Sequence, residues 1–185
     1  MLVRRRSVVV SAVLCGVFAV AGCSTTESGN AQPSASADLS AATAALWDPC
    51  SQISDSTLAG LGLDVASERS GILGAEEPGW KICLWDEANF PPSYGASVAT
   101  TVHTVDEVRA KTNNIEFKDV TVAGRQGVQF RQSNYDADEE CNFVFPTSSG
   151  SAQFGIINTT SKSKGVAPCD RIRPIAEAVV PNLPK

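Results

Sequence analysis

One histidine, one methionine and an aromatic content of 6% leave little material for several common chemistries. A lone His103 cannot furnish a His-rich metal site or two-histidine acid–base catalysis. No Gly-x-Ser-x-Gly elbow offers it a serine nucleophile. No glycine-rich phosphate loop is present, since Gly60-Leu61-Gly62 belongs to a helix end and lacks the partner motif. No Cys-x-x-Cys pair suggests zinc. Acidic residues outnumber basic ones, 20 to 15, and the net charge of −5 excludes the basic footprint of a nucleic-acid binder. Asp136, Asp138 and Glu140 alternate as in a calcium loop. The glycine and the distant bidentate Glu of such a loop are missing, so the string reads as a solvated hairpin tip. No catalytic residue, cofactor or metal is therefore assigned.

What is present is an export address. Arg4, Arg5 and Arg6 precede an apolar run from Val8 to Val20. At about 13 residues that run is roughly 20 Å long as a helix, too short for a hydrocarbon core of about 30 Å. It has the layout of a secretory signal, residues 1–22, with the general and the twin-arginine export routes both open. The run ends in Val20-Ala21-Gly22-Cys23, which resembles a bacterial lipobox. Cys23 is the expected lipid attachment site. Its palmitate-type acyl chains would make the membrane a partner on the outer face of the cell, and more than one chain makes anchoring stable. Residues 23–45 are rich in Ser, Thr and Ala and poor in large apolar side chains. They read as a flexible tether, and as a coil its 22 residues after Cys23 would reach roughly 25 Å r.m.s..

Four cysteines remain beyond Cys23: Cys50, Cys83, Cys141 and Cys169. An even number in an exported domain implies disulfides, in one of three connectivities. Pro49-Cys50 and Pro168-Cys169 look like helix entries, whereas Cys83-x-Trp85 and Cys141-x-Phe143 look like strands. Joining each helix start to its neighbouring strand favours Cys50–Cys83 and Cys141–Cys169, with the crossed pairings still open.

Residues 46–185 suit a single core. A short helix is expected after Ser54 and a loop over 67–79. Alternating strands follow at 80–86 and 96–103, linked by the Pro91-Pro92 connection. Thr104 and Glu107 fit a capping box for a helix running to Lys111. Four strands then fall at 115–122, 127–132, 140–145 and 152–158. A final amphipathic helix starts at Pro168, with Pro174 in its early turns. The expected fold is α+β: an antiparallel sheet of five to six strands, two disulfides, and N- and C-terminal helices packed on one face.

Asp48-Pro49-Cys50, the Leu58-x-x-Leu61-Gly62-Leu63 helix end, Cys83-x-Trp85, the lipobox and the tether together resemble an actinobacterial exported lipoprotein family of unknown function. The resemblance implies a cell-envelope lipoprotein and carries no activity or catalytic residues. The residues themselves point to a non-enzymatic domain that binds an envelope lipid, glycan or protein. Trp80, Phe90 and Tyr94 are the candidate ligand-binding residues, as an apolar lip around the Cys83 strand. A cell-wall hydrolase and a structural accessory subunit of an envelope complex are the alternatives.

Overall fold

The computed structural model describes residues 35–159 and 165–185. The signal peptide, Cys23 and the first part of the tether lie outside the described residues. Seven strands form one antiparallel sheet: β1 (Arg69–Ser70), β2 (Trp80–Asp86), β3 (Tyr94–Thr101), β4 (Asn114–Val122), β5 (Arg125–Gln132), β6 (Glu140–Thr147) and β7 (Gly150–Asn158). Their spatial order is β1-β2-β3-β7-β6-β5-β4. The sheet thus exceeds the five to six strands expected. The extra strand is β1, whose two residues lie inside the stretch expected as a loop. Two residues are too few to carry an alternation signal.

Among the described residues five α-helices accompany the sheet: α1 (Ala35–Ala44), α2 (Pro49–Gln52), α3 (Asp55–Gly60), α4 (Val105–Ala110) and α5 (Pro168–Val179). Helix α1 occupies much of the expected tether. Its Thr43 hydroxyl accepts the Gly79 N–H at 2.8 Å, so the segment is tied to the loop before β2. Local chemistry explains the other starts. Asp48 accepts the Cys50 amide, Ser54 accepts the Thr57 amide, and Pro49 sits in the first turn of α2. Thr104 and Glu107 form the reciprocal capping box of α4. Helix α5 has no side-chain cap, and Pro174 is accommodated inside it.

Alternation divides the sheet into two faces. On one, Cys83, Trp85, Val98, Phe143, Phe145, Phe154 and Ile156 pack with Ile53 and Leu58 and with Ile172, Ile175 and Val179 of α5. The N- and C-terminal helices therefore share this face. On the other, α4 brings Val108 against Val128, Phe130 and Val144. Residues 140–145 of β6 are buried without a break, because helices cover both of that strand's faces. At the β2–β3–β7 end of the second face, Ile82, Leu84, Ser97 and Gln153 are only half-buried.

Disulfides join Cys50 to Cys83 and Cys141 to Cys169, with Cα separations of 5.3 and 5.2 Å. Each bridge ties a helix start to a strand of the shared core face. Such bonds persist outside the reducing cytosol, which marks the protein as extracytoplasmic. Among the described residues no helix is long and apolar enough to cross a membrane.

Surface carboxylates set a pH dependence. The Arg69 guanidinium beside Asp86 holds that carboxyl below its ordinary 3.8. Arg131 does the same to Glu116, and the Thr104 backbone N–H does so to Glu107, both below an ordinary 4.5. A carboxyl depressed in the folded state stabilises it above the unfolded-chain pKa and ceases to do so as pH falls through the folded pKa. The melting temperature should therefore hold level from pH 7 to about 5 and drop below about 4.5. Melts recorded at stepped pH check this, and a melting temperature that rises on acidification would contradict it.

Candidate functional site

The three aromatic candidates do not form one lip. Trp80 opens β2 opposite Thr101, whereas Tyr94 lies at the far end of the same hairpin, opposite Asn158. Seven strand steps, roughly 23 Å, separate the two ends. Tyr94 is buried, and the Arg171 guanidinium lies 4.4 Å from its ring centroid. Burial, followed by the nearby Glu87 charge, pushes its phenol up. Phe90 stands alone in the connecting loop, 96% exposed. The paired prolines place it there, and strand periodicity carries no information on where a loop side chain points.

Trp80 instead joins a cluster on the second face. Its half-buried ring lies 5.8 Å from His103 and 5.6 Å from the Lys111 ammonium. The imidazole Nδ1 of His103 is 3.2 Å from the Glu107 carboxylate. Beside Trp80 lies a pocket of about 130 Å³, whose polar wall is Lys111, Asn113, Asn114, Gln132 and Gln153. Val108 and Phe130 supply its apolar floor. The pocket forms where the end of α4, the start of β4, the end of β5 and the middle of β7 meet.

Asn114 is the distinctive member. It is 7% exposed, and its Nδ2 donates to the Val108 carbonyl at 2.8 Å, covering the end of α4. That bond fixes which way the carboxamide faces. Its Oδ1 then has no hydrogen-bond partner, although the atom is buried. Leaving such a buried acceptor unsatisfied costs about 1–3 kcal/mol.

Next to the pocket, Glu140 departs from expectation. It is 3% exposed rather than solvated. Its carboxylate accepts the Gln132 backbone N–H at 2.8 Å and a short hydrogen bond from the Asn142 amide. Asp136 and Asp138 stay exposed in the turn, so the acidic string is divided between surface and interior. From Gln153 the amide row continues to Asn142, with Nε2 donating to Oδ1 at 3.3 Å. The neighbouring Gly155 is a close-approach glycine. A Cβ there would lie 2.6 Å from the Ser97 hydroxyl and 3.1 Å from Asn142 Oδ1.

Two other places gather charged or ligating side chains. An open cleft of about 660 Å³ between α4 and the β4–β5 hairpin contains Asp106, Arg109 and Asp119. Arg109 and Asp119 pair with each other at 2.9 Å and cancel each other's charge. Cys50, Cys83 and Glu68 bring potential ligand atoms within 4.8 Å of one another. Both sulfurs are consumed by the disulfide, and Glu68 accepts the Trp85 indole N–H, so this trio is structural.

Asn114, Gln132 and Gln153 carry no sequence motif. They come from three strands, and Asn113-Asn114 signals only a turn. Trp80 is the member that the sequence singles out.

No curated protein and no solved structure matches the chain. A family model described as "Protein of unknown function (DUF3558)" matches residues 18–182, and the chain therefore belongs to that family.

Proposed function

We propose that the protein is an envelope lipoprotein, held on the outer face of the cell membrane by acylated Cys23, whose domain binds a ligand rather than transforming one. The observation that carries the binding reading is the Trp80 pocket. An aromatic ring and several carboxamides converge in it. These groups recognise by stacking and hydrogen bonding. The ionisable groups around the pocket are engaged: His103 with Glu107, Glu140 with two amide donors, and Lys111 with the Trp80 ring. That set suits recognition better than proton transfer. The anchor reading rests on the order of Arg4–Arg6, the short apolar run and Val20-Ala21-Gly22-Cys23.

The anchor is tested by Cys23→Ser in the full-length chain. Fractionation should find the variant released from membranes or stalled as unprocessed precursor. Unchanged processing and membrane retention would refute it. The binding reading is tested by native mass spectrometry of the protein extracted from its own membrane. A defined non-covalent adduct is expected, and recovery of bare protein alone counts against binding.

A further inference from the structure

We infer that the free edge of β4 pairs with the same edge of a second copy of this chain, about a two-fold axis through Val120. The inference is independent of the membrane anchor and of the Trp80 pocket.

The two edges of the sheet differ. At one edge β1 has two residues, too few to template a partner, whereas β4 at the other has nine. The first half of β4 cannot pair regularly. A bulge lies between Ile115 and Lys118, where Glu116 has a φ of 56°. From Lys118 to Val122 the register with β5 is regular. Ala123 and Gly124, both at positive φ, make a two-residue hairpin turn, so Val122 and Arg125 bond to each other across it. Alternation then aims the N–H and C=O of Lys118, Val120 and Val122 at β5, and those of Asp119 and Thr121 outward. Among the described residues no turn, cap or loop backbone group bonds to these two. Both are exposed, and both line the open cleft beside α4.

Symmetry and charge select the occupant. A two-fold axis normal to the sheet turns the same face of both copies upward, so only residues of like parity oppose one another. An axis at Lys118 or Asp119 would set like charges face to face, which is destabilising. An axis at Thr121 or Val122 would run the regular stretch past the partner's turn. An axis at Val120 avoids both faults. It sets Asp119 opposite the partner's Thr121 and Lys118 opposite the partner's Val122. The Asp119–Thr121 pairs are those whose outward groups meet, so backbone bonds form on both sides of the axis. Side chains agree with this register. Arg109 donates to Asp119 Oδ1 at 2.9 Å, which leaves Oδ2 to accept from the partner's Thr121 hydroxyl. On the opposite face Val120, half-buried against the core, meets its own copy. A foreign strand could use the same backbone groups, but this chain also matches its own side chains. Lys118–Val122 is a short contact beside the roughly 20–30 residues a side of a standard interface, so the dimer should form only at high concentration.

The test uses purified full-length protein in detergent at stepped concentrations. Val120→Cys should give a disulfide-linked homodimer on mild copper oxidation, because side chains opposed in a non-hydrogen-bonded pair have Cβ atoms roughly 5 Å apart. Lys118→Cys should stay at the parent's background, since its copy would lie about 13 Å away. Thr121 supplies a second reading, because its exposed side chain can change without disturbing the core. In sedimentation equilibrium the dimer dissociation constant should rise at least tenfold in Thr121→Asp, which opposes Asp119 with a like charge. It should fall in Thr121→Lys, which opposes Asp119 with an ammonium. A loss of folding would move both variants the same way. Three results would overturn the dimer: a parent that stays monomeric up to its solubility limit, Val120→Cys and Lys118→Cys cross-linking equally, or the two Thr121 variants shifting together or not at all. A Val120→Cys link to a different protein in intact membranes, with no homodimer, would give the edge to a foreign strand and overturn it as well.

Discussion

Replacing Cys141 and Cys169 together by alanine should lower the unfolding free energy by about 3–4 kcal/mol. The bridge closes a loop with a sequence separation of 28, and chain entropy in the unfolded state gives that magnitude. Native geometry adds to the expectation. Helix α5 has Ala167 at its N-cap and hence no side-chain cap, so its first turn relies on Pro168 and on the tie from Cys169 to β6. Cys141 is wholly buried beside the aromatic core, and alanine avoids placing a hydroxyl there. For a domain of this size the loss corresponds to a fall of about 10 °C in melting temperature. Thermal melts of parent and double variant measure it, and a fall of less than about 3 °C would show that α5 holds its place without the bridge. The Cys50–Cys83 bridge has a separation of 33 and should be worth a similar amount. Removing both takes away a large share of the roughly 5–15 kcal/mol that keeps domains folded.

Both bridges lie close to sequence features that announce them, and this locality explains what was legible. Pro-Cys at a helix start and Cys-x-aromatic in a strand are local patterns. The alternation of β2 and β3 and the Thr104–Glu107 box are local too. Less was visible where structure comes from a distant partner. The two residues of β1 become a strand only because Arg69 and Ser70 pair with Leu84 and Cys83. The Ala35–Ala44 stretch has no apolar stripe, and its hold on the domain includes one hydroxyl reaching Gly79 across the fold. Glu140 shows the same limit. Its neighbours Asp136, Asp138 and Glu139 suggest a solvated tip, yet strand register turns its carboxylate toward Gln132 and Asn142. The pocket is the extreme case. Asn114, Gln132 and Gln153 become neighbours only after α4 has packed and β5 and β7 have taken their places on either side of β6. No spacing rule joins three amides from separate strands, so a sequence can nominate Trp80 and leave its partners unmarked.

Phe154→Ala should cost about 3–5 kcal/mol, the second large effect expected of a single site. Phe154 is fully buried in β7, directly opposite Val98 on one side and Phe143 on the other. Its ring meets Phe145 edge-on at 5.7 Å, a contact worth about 1 kcal/mol beyond area burial. Flanking strands and α5 limit collapse, so alanine leaves a cavity that neighbours cannot fill. Phe90→Ala provides the internal control. That side chain is 96% exposed, and its loss should change stability by no more than about 0.5 kcal/mol. Denaturant titration of the two variants side by side decides the matter, and near-equal midpoints would contradict this placement of the core. The comparison also bears on the pocket. Phe154 points into the core between Gln153 and Gly155, which face the other side of the sheet, and Gln153 lines the pocket. A shift of β7 into the new cavity would carry Gln153 with it. Phe154→Ala should therefore disturb the pocket as well as the core, whereas Phe90→Ala should leave both intact, although both remove the same aromatic side chain.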